Sequence, residues 1–361
     1  MESKSIMKIC YGVQGTGNGH IARARIMAQA FALRDDVKVD FYFSGRDADA
    51  YFDMEVFGRY RTFRGLTFFT HKGRVDPWKT VSQNSPIQAY RDIKQLDLSQ
   101  YDLVLNDFEP ITAWTAKRQG ITSISISHQA AFQYPVPQSG KGFIDQLIMK
   151  YFAPCDISLG VHWYHFGSPI IPPFIHEEPI IRPNRESVVV YLPFEDLAEV
   201  IDVLQPLSEQ NFVVFHPDIK EASKQANVSL EPLSKPNFKY ALQHSAGVIG
   251  NGGFELSSES LRLGKKLLLK PLDGQFEQSS NIVTLKALGL CEDMAILSSE
   301  TIEDWLSLKD NPIIAYPKTP EVLVNWLLAQ DYNDTQTLCQ ALWKQVTFPA
   351  DVLKRARELI Y

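Results

Sequence analysis

Residues Gly250–Asn281 read G-N-G-G-F-E-L-S-S-E-S-L-R-L-G-K-K-L-L-L-K-P-L-D-G-Q-F-E-Q-S-S-N. Val248 and Ile249 close an apolar run that fits a buried strand. Gly252 and Gly253 open a turn, and Phe254–Leu263 carries helical spacing with Leu256, Ser260 and Leu263 along one side. The strand therefore ends against a helix start whose unpaired N–H groups and positive dipole end suit an anion. Ser257 and Ser258 put hydroxyls near the first turn, and Glu259 follows. A second strand, Lys266–Leu269, leads into the loop Pro271–Gln278, which ends on Glu277-Gln278 ahead of another helix.

The N-terminal part repeats the device. Ile9–Val13 is a short apolar run, followed by Gly15, Thr16, Gly17, Asn18, Gly19 and His20, then by Ile21, Ala24, Ala28 and Phe31 at helical spacing. Glycines there permit positive φ and a close backbone approach, so the turn can face a ligand. A dinucleotide-binding dehydrogenase is the first rival. The spacing, however, is G-x-G-x-G rather than G-x-G-x-x-G, and Asp40 falls at the start of the second strand rather than at its end.

The order of residues in the first stretch resembles the donor-binding signature of inverting UDP-glycosyltransferases, H-x-G-x-x-S/T-x-x-E, then G-x-P, then P-x-x-x-D/E-Q-x-x-N. Asn251 stands where many members have His, Gly253 on the signature Gly, Ser257 on the small hydroxyl, and Glu259 on the acid that holds the ribose hydroxyls. Glu277-Gln278 falls on the acid-Gln pair that grips the donor sugar, with Asn281 after it at the family's spacing. The resemblance implies a diphosphate on the helix start formed by Gly252, Gly253 and Phe254 through Ser257 and Ser258, and a base near Pro232-Leu233. Lys265-Lys266 in place of Val-Pro, and Asn251 in place of His, depart from the pattern. The glycine turn is similar to the G-G-T-G-G-H turn of the lipid-linked N-acetylglucosaminyltransferase of peptidoglycan synthesis. The whole looks closest to a prokaryotic family-1-like branch with D-F-E-P and S-H-Q strand ends, here Asp107–Pro110 and Ser127–Gln129.

That resemblance gives His20 a role. An acceptor hydroxyl attacking an anomeric carbon must lose its proton, and an imidazole takes protons near neutral pH. The family's orienting Asp has its candidate in Asp107, at the end of the apolar strand Leu103–Leu105, with Glu109 as the substitute. In the structural alternative His20 packs at its helix start and Asp107 caps the helix after Pro110. His128 and Gln129 either line the acceptor pocket or serve structure. Arg59, Arg61, Arg64, Lys72 and Arg74 either hold an anionic or lipid-linked acceptor or form a solvated face. His162 and His165 fall on opposite strand faces, so no metal site is expected there, and the helix start would neutralise the leaving group.

Length and composition set the frame. A chain of 361 residues exceeds one ordinary core. Net charge −6 argues against a general nucleic-acid binder, and 45% hydrophobic with 22% charged residues is an ordinary globular composition. Cys10, Cys155, Cys291 and Cys339 are far apart and read as reduced thiols. No 18-residue apolar run occurs, so a cytoplasmic protein with at most peripheral contact at the inner membrane face is expected. Gly167–Pro183 holds five prolines and interrupts the alternation of strands and helices. The expected fold class is α/β, with two Rossmann-like doubly wound parallel-sheet domains facing across a cleft, the GT-B arrangement. Residues 1–166 would bind the acceptor, 167–184 link, 185–345 bind the nucleotide sugar, and 346–361 cross back as a helix.

The expected activity is an inverting, metal-independent glycosyltransferase using a nucleotide-diphosphate sugar as co-substrate, without a cofactor. Its acceptor would be a glycan, a lipid-linked molecule or a small molecule. A nucleotide-sugar epimerase of the same fold and a non-enzymatic nucleotide-sugar-binding protein stay open at this stage.

Overall fold

The computed structural model describes residues 6–67, 70–71, 74–75, 85–140, 142–175 and 187–360. Two seven-stranded sheets carry the architecture. The first has the order β3 (Tyr60–Phe63), β2 (Val37–Ser44), β1 (Met7–Gln14), β6 (Leu103–Asp107), β7 (Ser123–Ser127), β8 (Ile157–Val161), β9 (Ile170–Ile171), all parallel. A small antiparallel pair, β4 (Thr70–His71) and β5 (Arg74–Val75), stands apart. The second sheet has the order β12 (Ser223–Gln225), β13 (Val228–Glu231), β11 (Asn211–Phe215), β10 (Ser187–Tyr191), β14 (Gly247–Asn251), β15 (Lys266–Lys270), β16 (Glu292–Asp293). Only β12 is antiparallel there.

The helices are α1 (Gly19–Ala32), α2 (Pro86–Gln95), α3 (Pro110–Gln119), α4 (His128–Ala131), α5 (Phe143–Tyr151), α6 (Leu197–Leu204), α7 (Lys235–His244), α8 (Phe254–Arg262), α9 (Phe276–Leu288), α10 (Ser299–Leu306), α11 (Thr319–Ala329), α12 (Thr335–Trp343) and α13 (Ala350–Glu358). Among the described residues no helix is long and apolar enough to cross a membrane.

Parallel strands are apolar on both faces because helices cover both. Ile9, Tyr11 and Val13 of β1 enter the core between the sheets, while Cys10 joins Tyr42, Val104 and Ile111 on the far side. Val188 and Val190 of β10 pack with Val200 and Leu204, and Val189 faces the other way with Val248 and Phe215. Cys10, Cys291 and Cys339 are buried, Cys155 is partly so, and all four are free thiols.

Strand order is what places the site. From β1 the chain moves outward to β2 and β3, then returns to the other flank of β1 with β6. From β10 it moves to β11 and β13, then returns to the other flank with β14. Each reversal leaves a crevice at the carboxyl ends of the central strands, where open α/β sheets bind ligands. The turn after β1 and Asp107 of β6 sit at the first reversal; Asn251 and the glycines after β14 sit at the second.

Three local readings change. The strand that pairs with Phe41–Ser44 is Tyr60–Phe63; of the strand expected over Leu66–Thr70, 68–69 lie outside the described residues, Leu66 and Thr67 are not in a strand, and Thr70 begins β4. Gly65, at φ 58° and packed against Ser44, turns the chain out of the extended conformation before Leu66. Asp40 lies in the middle of β2 and accepts a hydrogen bond from Tyr101 Oη at 2.7 Å. Short edge strands β9, β12 and β16 add to the expected set. Of the proline-rich segment, 176–186 lies outside the described residues, as do Lys72 and the rest of 68–69, 72–73 and 76–84. The C-terminal helices return to the first sheet: α11 packs on α1, Arg34 Nη1 donates to Asn325 Oδ1 at 3.0 Å, and Trp343 Nε1 of α12 donates to the Ile170 carbonyl at 2.6 Å. The last helix, α13, lies against α9.

Candidate active site

The turn after β1 is shaped by its neighbours. Gly15 N donates to the Ser44 carbonyl at 2.5 Å, and a β-carbon on Gly15 would collide with Tyr51. Gly17 has φ 80° and open space where a side chain would stand. Arg46 ties the turn together, donating to the carbonyls of Gly15 at 2.6 Å and Gly17 at 3.2 Å, and Thr16 Oγ1 meets Thr67 at 2.6 Å. Asn18, the residue before α1, makes no side-chain cap, so the first amides of the helix stay open to a ligand.

His20 follows in the first turn and is buried. Its Nδ1 lies 2.7 Å from Asp107 Oδ1. Arg23, one turn on, grips the same carboxylate with both arms of its fork, Nε to Oδ2 at 2.9 Å and Nη2 to Oδ1 at 2.8 Å. Burial alone would raise the Asp107 pKa, but the charges and hydrogen bonds of Arg23 and His20 bring it below the ordinary value. An ionised carboxylate only accepts, so the proton of the His20–Asp107 bond sits on Nδ1 and Nε2 keeps its lone pair. The 2.9 Å approach of Arg23 Nη2 to Nδ1 is then a close contact of a cation with the ring rather than a bond. Gln129 Nε2 lies 3.5 Å from His20 Nε2 and donates to Glu277 Oε2 at 2.8 Å; its Oε1 is buried without a partner.

On the facing side β14 ends at Asn251, whose Nδ2 donates to the Lys270 carbonyl at 3.0 Å while Oδ1 is left buried and unpaired. A β-carbon on Gly252 would stand 2.7 Å from the Gln278 carbonyl, so this position is closed to any side chain. A β-carbon on Gly253 would meet nothing within 4 Å, and the residue caps α8 with no side chain of its own. Its helix start is open, as binding of an anion on backbone amides requires. The Ser257 hydroxyl donates to the Gly253 carbonyl at 2.8 Å. Glu259 is partly exposed; desolvation raises its pKa against the pull of Lys239, Lys235 and Arg262. Gln278 Oε1 accepts from Leu272 N at 2.9 Å and shapes the loop ahead of α9. Leu233, half exposed, follows β13 at the same carboxyl edge.

Several expected ligand contacts turn out to be structural. The Glu109 carboxylate is buried under Ser44 Oγ, Ile111 N, Thr112 N and Thr112 Oγ1 at 2.6 to 2.8 Å, so it caps α3 and cannot orient His20. Asp107 is not that cap. Both ring nitrogens of His128 have partners within the protein. Nδ1 faces the Val161 carbonyl at 2.9 Å, Nε2 faces Asn281 Oδ1 at 2.6 Å, and the ring stacks on Phe254 with centroids 4.0 Å apart. Asn281 Nδ2 donates to the Gly252 carbonyl at 2.9 Å, and through His128 both Asn281 and Phe254 join the two halves. The Ser258 hydroxyl donates to the Phe254 carbonyl at 2.7 Å and accepts from Trp163 Nε1 at 2.9 Å, which commits its proton. Lys265 and Lys266 donate to the carbonyls of Gln243, Ser245, Leu306 and Leu308, serving the C-terminal ends of α7 and α10.

Two residues that carry charge into the cleft escaped the reading of the sequence, Arg23 and Glu255. Glu255, in the first turn of α8, pairs with Arg23 Nη1 across the cleft and lies against Gly19. Burial pushes its carboxyl up to about 7, although Arg23 opposes this.

The model of glycosyl transferase family 1 matches residues 7–308. No curated protein matches the chain significantly. Among solved structures, a UDP-glucosyltransferase from Polygonum tinctorium capable of glucosylating indoxyl is 13% identical, with a TM-score of 0.61 over 99% of this chain and 98% of that one. The kitacinnamycin glycosyltransferase is 15% identical, with a TM-score of 0.57 over 98% and 95%. The glycosyltransferase VinC, solved with dTDP, is 12% identical, with a TM-score of 0.50 over 98% and 100%. At these identities the likeness is one of fold, two α/β domains of the GT-B type.

Proposed function

The chain belongs to glycosyl transferase family 1 and is a glycosyltransferase, and we propose that it transfers a sugar from a UDP-linked donor to an acceptor hydroxyl, with inversion and without a metal ion. Family and fold support a nucleotide sugar as the donor. The observation that carries the reading is the His20–Asp107 pair, 2.7 Å apart, at the crevice of the first sheet, facing the open helix start at Gly253. The acceptor oxygen gives its proton to His20 Nε2 as it bonds to the anomeric carbon. The bond from that carbon to the diphosphate oxygen breaks, and the nucleotide diphosphate leaves with the electron pair on the amides of α8. Asp107 holds the tautomer and balances the imidazolium. The leaving group would be neutralised by the open helix start at Gly253.

In this reading residues 1–166 take the acceptor and 185–345 the donor, with Glu259 on the ribose and Glu277 on the sugar. A small-molecule acceptor fits the neighbours of like fold. Calorimetry with UDP, dTDP, GDP and CMP and their common sugars, on wild type and Glu259→Ala, tests the donor site. One diphosphate nucleotide should bind the wild type and not the variant. With that donor, His20→Ala should bind as before and turn over about 10²–10⁴-fold more slowly. Turnover by His20→Ala at the wild-type rate would remove the base assignment.

A further inference from the structure

Arg23 has no place in the chemistry above, yet its guanidinium is buried and held by two carboxylates. Its side chain is 3% exposed, Asp107 is fully buried, and Glu255 is 15% exposed. Two carboxylates, from β6 and α8, share one guanidinium, and the His20 ring stands 2.9 Å from its Nη2. Ion clusters this deep cost desolvation energy, so they are poorly explained as stabilising contacts.

Charge balance gives the cluster a use. Arg23 and Asp107 alone would cancel, and a proton arriving on His20 would then leave an unbalanced buried cation beside another cation. With Glu255 ionised the cluster carries one negative charge, and the protonated ring brings it to neutrality. We infer that Arg23 and Glu255 form a charge-setting pair for His20: Arg23 positions Asp107 in its fork, and Glu255, carried in by the other sheet, offsets the Arg23 charge so that the ring can accept a proton when the cleft is closed. Both are positioning residues. Opening the cleft removes Glu255 and leaves His20 a poorer proton acceptor, which protects the donor from water while the site is incomplete. The meaning of the pair rests on His20 being the base; the test does not.

His20 meets Arg23 of its own helix, Asp107 of β6 and Gln129 of α4, which leads to Glu277 of α9. Glu255 of α8 reaches Arg23, Glu259 acts on Glu255, and Tyr11 of β1 feels the charges of Asp107, Arg23 and Glu255. Burial pushes the Glu255 carboxyl up, against the pull of Arg23, and Glu255 reaches His20 only through Arg23.

The experiment follows the ring-nitrogen NMR signals of His20 against pH in the full chain without ligand, assigned by their absence in His20→Gln. Glu255→Gln should move the transition to lower pH and Arg23→Gln to higher pH, each by about one unit. Arg23→Lys, which keeps the charge, should stay close to wild type. A purely structural salt bridge predicts no shift, or shifts of the same sign, and either result overturns the inference. If Arg23→Gln does not fold, Glu255→Gln and Arg23→Lys decide: an unmoved Glu255→Gln transition overturns it. Full turnover by His20→Ala would sink the base assignment alone and leave the shifts intact, so the two failures are distinct.

Discussion

Replacing Glu255 by Gln should make the protein more stable at alkaline pH than at acidic pH, relative to wild type. The side chain is largely buried, and its carboxyl is pushed from 4.5 to about 7. The folded state therefore holds a proton that the unfolded chain has released between these values. A group whose folded value is raised contributes stability below its unfolded value and loses it as pH rises through the folded value. At 1.36 kcal/mol per unit, the shift corresponds to about 3 kcal/mol lost by wild type between pH 4.5 and pH 8. Gln has the shape of the protonated acid and keeps an acceptor for Arg23, so the variant lacks that slope. Urea midpoints at pH 5, 6, 7 and 8 should show little difference at pH 5 and a growing advantage for Glu255→Gln toward pH 8. A variant less stable than wild type by a constant amount at every pH would mean that the Arg23–Glu255 contact is net stabilising and that burial does not dominate.

Gly253→Ala and Gly252→Ala separate binding from folding. Gly253 has open space and an ordinary φ of −73°, so its Ala variant should melt with the wild type while losing affinity for pyrophosphate in calorimetry; unchanged affinity would move the anion site elsewhere. Gly252→Ala must push its methyl against the Gln278 carbonyl and should lower the melting temperature, at a cost of about 1–3 kcal/mol. Glu109→Gln turns an amide NH₂ toward donors that now meet a carboxylate and should cost about 2–3 kcal/mol in denaturant melts. Fully folded Glu109→Gln should keep wild-type turnover, and a catalytic defect without instability would restore Glu109 to the reaction.

Much of the fold was written in short-range pattern. Ile9–Val13 before the glycine turn and Val248–Ile249 before Gly252 are apolar runs ended by glycine, and each proved to be a central strand at a reversal of strand order. That reversal explains why His20 and Asp107, 87 residues apart, meet: both follow strands that end at the same edge. Spacing could not reveal Arg23, which in R-A-R reads as one more charge on a helix face, or its partner Glu255, 232 residues away. Ser258 and His128 look like ligand residues in a motif, yet Trp163 and Asn281 claim them, and only packing between the sheets decides that.

The return of α11 and α12 to the first sheet has a consequence for synthesis. The face of α1 that α11 covers, and the Ile170 carbonyl that Trp343 caps, belong to the part of the chain made first, while their partners are made almost last. On the ribosome the half that carries His20 must wait, incompletely covered, until Trp343 has left the exit tunnel, whereas the half that carries Gly253 has all its strands once residue 293 emerges. The earlier half of the polypeptide thus receives its last pieces from the later one.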